Sequence, residues 1–292
     1  MPTSEYSFNG ADFYTKIANP PDGVATIAKL LFNHGFAEHV ERYEDFFRTV
    51  NAAGIATFAF DQRGAGRTSP NKKDWGHTDS VALFADLDYF VEKVVKDDAD
   101  GVPWFMIGFS MGGGITLDYA VHGTYRDLFA GYIGVSPLIT LHPRTNPPAL
   151  IYYALLGVSK LLPNFQYFTG LDFEFLTRDP LQLAIAKDDP LLHATCTLRQ
   201  MSQMLDRGAK LLQPHYIAGI VQRPVLVIHG TGDKINLYDA SKRFIDIVPV
   251  PDKTLITIDG AYHELHHDID DTRTQLYTGL LAWITQHTHA KL

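Results

Sequence analysis

Residues 104 to 120 read Trp-Phe-Met-Ile-Gly-Phe-Ser-Met-Gly-Gly-Gly-Ile-Thr-Leu-Asp-Tyr-Ala, and the five from Gly108 to Gly112 are the part that could do chemistry. An apolar strand leads into them and a helical pattern leads out, the setting in which a serine is lifted onto a sharp turn as a nucleophile. That serine is Ser110. The turn is so tight that a side chain at 108 or 112 would strike a neighbouring element, so glycine is required on both sides. The helix that follows directs its unpaired N–H groups and the positive end of its dipole toward charge developing beside the serine. The pattern alone is weak, since Gly-x-Ser-x-Gly arises by chance in roughly one chain in ten of this length. A glycine-rich turn with a capping serine is the bland alternative.

Partners further down the chain give the pattern its weight. A serine hydroxyl needs a histidine to take its proton, and the histidine needs a carboxylate to fix its tautomer and stabilise the imidazolium. After a strand–turn–helix elbow these arrive in the order serine, acid, histidine, in loops that follow later strands. The apolar run Val225 to Ile228 opens into His229-Gly230-Thr231-Gly232-Asp233, and Thr254 to Ile258 opens into Asp259-Gly260-Ala261-Tyr262-His263. Asp233 and His263 fit. Asp239 falls in a helical pattern and Asp259 ends a strand too close to the histidine loop, while His266 and His267 are the fallback histidines. An Asx turn or helix cap is the ordinary role of an aspartate after glycine. The oxyanion needs two N–H donors: Met111, after the nucleophile, supplies one, and Phe36, in the loop Asn33-His34-Gly35-Phe36 after an earlier strand, supplies the other. His34 has no acid of its own and is expected to be structural.

Two competing motifs must be weighed. His263-Glu264-Leu265-His266-His267 satisfies the His-Glu-x-x-His zinc pattern, which requires both histidines on one helical face. Here a strand and a glycine loop run straight into it, and Asp270 stands where the extended pattern has glycine. Asp61 to Ser69 superficially resembles a nucleotide loop, but lacks the third glycine and the Lys-Ser/Thr pair, and is expected to be a structural turn. The chemistry calls for no cofactor and no metal.

Composition narrows the setting. The 292 residues are 46% apolar and 20% charged, with a net charge of −8 and no cluster of Lys and Arg. That is globular material, and nucleic acid is excluded as a natural partner. The single cysteine, Cys196, rules out an internal disulfide framework, and Met1 to Asn9 lacks the pattern of a secretion signal, so a cytoplasmic chain is expected. No apolar run reaches membrane-spanning length; Ala149 to Phe168 is an amphipathic stretch that suits core, pocket wall or a membrane-resting face.

The elements that must position these residues are strands near 4–8, 12–18, 25–33, 55–60, 103–109, 130–136, 224–229 and 254–259. The first two flank Asn9-Gly10 and read as a hairpin. From residue 25 onward the strands are continuous apolar runs, the mark of strands covered on both faces, and helical patterns such as 42–53 and 80–95 alternate with them. The expectation is an α/β protein with a mostly parallel eight-stranded sheet flanked by helices. Alternation stops after Ile139. Residues 140–213 are proline-rich, aromatic and helical in pattern, and are expected to form a helical cap inserted above the sheet of a single domain, 1–292.

Taken together the residues resemble the monoacylglycerol lipases of the α/β-hydrolase superfamily, of fungal type. The resemblance rests on His34-Gly35 with Glu38, Arg42 and Tyr43; Asp61 to Ser69; the Ser110 elbow; Ser136-Pro137-Leu138; Arg207 to Lys210; His229-Gly230 with Asp233; and Gly260 to His263 with His266. It implies hydrolysis of a long-chain acyl ester of glycerol under an apolar cap that meets membranes or lipid droplets. Phe109 departs from the family, which usually has histidine there. A carboxylesterase or lysophospholipase with the same triad is the near alternative; a non-enzymatic receptor for a lipid-like ligand and a zinc hydrolase are the distant ones.

Overall fold

The computed structural model describes residues 6–145 and 157–288. The chain builds a seven-stranded sheet from β3 (Thr15–Ala18), β4 (Ala28–Asn33), β5 (Ile55–Phe60), β6 (Trp104–Phe109), β7 (Gly131–Val135), β10 (Val225–Gly230) and β11 (Lys253–Ile258). Their spatial order is β11-β10-β7-β6-β4-β5-β3. All neighbours are parallel except β3, which closes one edge antiparallel to β5. The parallel strands therefore end on one side, and the loops after β4, β6, β10 and β11 meet there.

The count is seven rather than eight because the run 12–18 is two strands, not one. At Tyr14 the backbone leaves its neighbours: its N–H donates to Thr68 Oγ1 at 3.0 Å and its carbonyl accepts from Asp61 N–H at 2.9 Å. β2 (Ala11–Phe13) turns back onto β1 (Tyr6–Phe8) in a separate two-stranded sheet, and only the remainder joins the main sheet as β3. The intervening Asn9 and Gly10 both have positive φ, as a tight hairpin turn requires.

The apolar runs are buried on both faces, as their lack of alternation predicts. Leu30, Phe32, Ile107, Val135 and Ile228 pack under α1 (Glu44–Ala52) and the last helix, α7 (Asp270–His287). Leu31, Met106 and Val227 pack under α2 (Ser80–Phe90), α3 (Met111–His122) and α6 (Tyr238–Ile247). Phe32 alone meets Tyr43, Phe46, Phe47 and Phe109; complete burial of such a ring contributes about 1.5–3 kcal/mol. α2 starts where Asp79 caps Ala82 N–H at 2.9 Å, and its last turn widens to a π-turn over Val91–Val95.

Between β7 and β10 lie helical residues 157–161, a hairpin of β8 (Gln166–Phe168) and β9 (Thr195–Thr197), α4 (Pro180–Asp188) and α5 (Leu198–Lys210). The hairpin corrects the helical reading of this stretch: its strands are three residues each and almost thirty apart, so no periodicity announces them. Of the amphipathic stretch 149–168, residues 149–156 lie outside the described ones.

Candidate active site

Ser110 stands between the C-terminal end of β6 and the first residue of α3, with φ 52° and ψ −117°. This strained conformation lifts its side chain clear of the turn, and its neighbours explain the flanking glycines. A Cβ at Gly108 would overlap the carbonyl of Gly112, and one at Gly112 would overlap the carbonyl of Asn33. Phe109 packs edge-on against Tyr43 and Phe46, with ring centroids 5.1 Å apart in each pair, and against His266 at 4.8 Å. The departure at 109 is thus absorbed by an aromatic cluster behind the turn, which keeps its form.

The structure brings Ser110, His263 and Asp233 together from three loops. Ser110 O–H donates to His263 Nε2 at 2.9 Å, and His263 Nδ1–H donates to Asp233 Oδ2 at 2.7 Å. Asp233 is fully enclosed in the loop after β10; its Oδ1 accepts the N–H groups of Ile235 at 2.7 Å and Asn236 at 2.9 Å. Burial alone would raise the Asp233 carboxyl, but His263 and then His229 more than offset it and hold it well below the usual carboxylate range. For His263 burial opposes the charge, yet Asp233, with Glu264 and Glu38, lifts it above the ordinary histidine value. The arrangement can move a proton from a hydroxyl to an imidazole whose charged form is electrostatically supported.

The competing candidates are elsewhere. Asp239 is exposed in the first turn of α6, and Asp259 accepts from Thr231 Oγ1 at 2.8 Å on the surface. His34 is completely buried: its Nε2 accepts Gln62 N–H at 2.8 Å, its Nδ1–H donates to Gly35 O, and burial pushes its pKa down to about 3. It is a loop staple. Residues 263–267 are not helical, so the two histidines of the zinc pattern do not share a helical face. His267 instead bonds Glu264 and Arg42 O, each at 2.9 Å, and no group of three metal-binding side chains converges among the described residues. Asp61 ties the Asp61 to Ser69 turn by accepting Val40 N–H and Arg67 N–H, each at 2.7 Å.

Phe36, Ser110 and His263 line one cavity of about 610 Å³, a size typical of small-molecule sites. Its walls are mostly apolar, and Leu176, Leu192, Met201 and Leu205 come from the segment between β7 and β10. Met111, as the first residue of α3, carries one of the N–H groups a helix start leaves unpaired. Under Phe36 a buried network fixes the loop: Glu38 accepts from Gly35 N–H and Tyr43 O–H, each at 2.5 Å, and from Arg42 Nε at 3.1 Å. Arg42 in turn grips both oxygens of Glu264 at 2.7 and 2.8 Å, next to His263.

Sequence reasoning passed over Asn236. Its Nδ2 donates to Ser136 O at 2.8 Å and reaches Ser110 Oγ at 3.5 Å, so it bridges the acid loop and the nucleophile turn. The only signal was its position three residues after Asp233.

Known proteins resemble this chain over nearly its whole length. Residues 25–270 match the family described as "Serine aminopeptidase, S33". The monoglyceride lipase of Saccharomyces cerevisiae is 36% identical over 299 residues, spanning 99% of this chain and 95% of that one. The monoacylglycerol lipase of Mycolicibacterium smegmatis is 28% identical, spanning 97% and 98%. The crystal structure of a soluble variant of the S. cerevisiae monoglyceride lipase with a substrate analog superposes with a TM-score of 0.93, at 33% identity over 98% of this chain and 95% of that one.

Proposed function

The chain belongs to the family described as serine aminopeptidase, S33, with an α/β-hydrolase fold, and from that premise we propose that it hydrolyses monoacylglycerols to fatty acid and glycerol. Ser110 attacks the ester carbonyl and passes its proton to His263, which Asp233 orients. The oxyanion is held by the N–H groups of Phe36 and Met111. As the C–O bond to glycerol breaks, His263 returns the proton to the leaving alkoxide. Water then enters and adds to the acyl carbonyl as His263 takes its proton; when the acyl C–Oγ bond breaks, His263 gives that proton to Ser110 Oγ and the fatty acid leaves. No cofactor or metal enters these steps.

The observation that carries the reading is a hydrogen-bonded Ser110–His263–Asp233 set opening on a largely apolar cavity of about 610 Å³. The names of the relatives favour a monoacylglycerol over another ester.

The whole chain acts as one domain, in which residues 140–213 serve as the cap. Described cap residues Leu161, Phe165, Phe168, Leu181 and Ile185 present large apolar side chains to solvent, which supports resting on a membrane or lipid droplet from the cytoplasm. No described helix is long and apolar enough to cross a membrane.

The test is a panel of monoacylglycerols, triacylglycerols, lysophospholipids, short-chain esters and aminoacyl anilides, with labelling by a serine-reactive phosphonate. Fastest turnover of monoacylglycerols, lost in Ser110→Ala together with labelling, is expected. Substantial activity in Ser110→Ala, or preference for the anilides, would sink the assignment. Leu161→Asp with Phe165→Asp should weaken sedimentation with phosphatidylcholine vesicles and leave short-chain ester turnover unchanged.

A further inference from the structure

We infer that His229 is a positioning residue of this site: it gives Asp233 Oδ2 a second imidazole hydrogen bond and so keeps His263 available as a base at neutral pH. The inference rests on the hydrolytic reading of Ser110, His263 and Asp233.

His229 is the fifth residue of β10, where Val225 to Ile228 are all apolar, and it is completely buried. A buried imidazole is costly unless its nitrogens are satisfied, and here both are. Nε2 lies 3.0 Å from Asp233 Oδ2 and Nδ1 lies 2.8 Å from Ser241 Oγ on α6. An ionised carboxylate only accepts, so Nε2 carries the hydrogen, while Nδ1 is bonded to the Ser241 hydroxyl. The Nε2–H is thereby aimed at Asp233 and the ring is held from behind by Ser241, as second-sphere partners fix a metal-bound histidine.

Asp233 thereby accepts four hydrogen bonds, two imidazole N–H groups on Oδ2 and two backbone N–H groups on Oδ1. Each donor draws on the same negative charge, and what goes to His229 is withheld from the imidazolium that His263 becomes. The surroundings of His263 make this matter. Asp233, Glu264 and Glu38 all face it and favour its charged form, with His266 as the neighbouring imidazole. Arg42, bonded to both Glu264 and Glu38, offsets those two charges, so Asp233 governs how tightly His263 holds its proton, and an untempered Asp233 would keep His263 charged to higher pH. The groups facing His229 are Asp233, Ser241 and the Tyr238 ring, 5.8 Å away. None is a cation that could do the same tempering in its place.

The experiment compares kcat/KM against pH for a soluble short-chain ester in the unaltered enzyme, His229→Leu and His229→Gln. Glutamine places an amide N–H close to where Nε2–H stood, so its acid limb should coincide with that of the unaltered enzyme. In His229→Leu the limb should move up by about 0.5–1 pH unit, about a 3–10-fold loss at pH values below it, with the high-pH plateau largely kept. A folded His229→Leu protein with an unmoved limb overturns the inference, since a merely structural histidine would lower thermal stability alone. The second measurement needs no variant: ¹⁵N NMR of histidine-labelled enzyme should find hydrogen on Nε2 of His229 throughout the titration of His263. Hydrogen on Nδ1 with none on Nε2 overturns it. Absence of phosphonate labelling in the unaltered enzyme would instead sink the hydrolase reading and leave the tautomer result standing.

Discussion

Replacing Asp233 by asparagine changes one oxygen into an NH₂ group, and the structure dictates which. Oδ1 accepts two backbone N–H groups, from Ile235 and Asn236, and neither can become an acceptor. The amide oxygen must therefore stay on that side. The NH₂ group then occupies the place of Oδ2 and faces Nδ1 of His263 and Nε2 of His229, where it meets two donors. His263 has to shift its hydrogen to Nε2, which points at Ser110 Oγ 2.9 Å away. An imidazole in that state cannot receive the hydroxyl proton, and the expected loss is about 10⁴-fold in kcat, or about 5 kcal/mol of barrier. KM should change little because the cavity wall is untouched. Stability should respond too. The Asp233 carboxyl is held below its unfolded value in the folded chain, so its contribution is present above about pH 3.9 and is lost as pH falls through the folded value. The variant should lack that acid-sensitive share of its Tm. Steady-state turnover of a monoacylglycerol, paired with calorimetry from pH 2 to 8, measures both. A folded Asp233→Asn enzyme with kcat within tenfold of the parent refutes the reasoning, as would an equal loss in Asp239→Asn.

Three further expectations follow from the same geometry. Because the folded environment raises the His263 pKa, kcat/KM should rise with pH through a limb above about 6.5; its contribution to stability, complete below about 6.5, should fade as pH rises through the same limb. Opposed activity and Tm profiles check this, and a limb below about 6 contradicts it. Gly112→Ala sets a methyl against the carbonyls of Asn33 and His34 and should cost about 3 kcal/mol or more in urea unfolding while abolishing phosphonate labelling; labelling at the parental rate would show the turn to be looser than described. Glu264→Gln removes one of the two carboxylates that neutralise Arg42, which is buried. A loss of about 3 kcal/mol is expected by chemical denaturation, and no change would mean that Glu38 alone suffices.

Much of the site was legible because its demands are local. A serine on a strand-to-helix turn needs glycine at 108 and 112 for steric reasons that the sequence states outright, and the runs before Asp233 and His263 are apolar strands whatever surrounds them. What was not legible depends on the backbone coming together. Tyr14 gives no sign that residue 68 will intercept its N–H and split a strand, so the sheet was expected to have one strand too many. The pairing of Arg42 with Glu264 joins residues 222 positions apart, and only the folded chain reveals it. His229 was read as part of a motif, but that it shares Asp233 with His263 is a fact about two loops and a helix. The expectation of a cap at 140–213 rests on composition, and the short hairpin of β8 and β9 carries no periodicity to read.

Arg42 also says something about how the enzyme could be taken apart. Ser110 and the loop carrying Phe36 come from the first half of the chain and Asp233 and His263 from the second, and this one guanidinium clasps the two halves, from Glu38 below that loop to Glu264 beside His263. A polypeptide severed between the halves would yield two inert pieces: Arg42 would keep Glu38 in the first, and Glu264 in the second would lose its cation at the old seam. Turnover would return only on reunion, which makes the seam itself a built-in reporter of assembly.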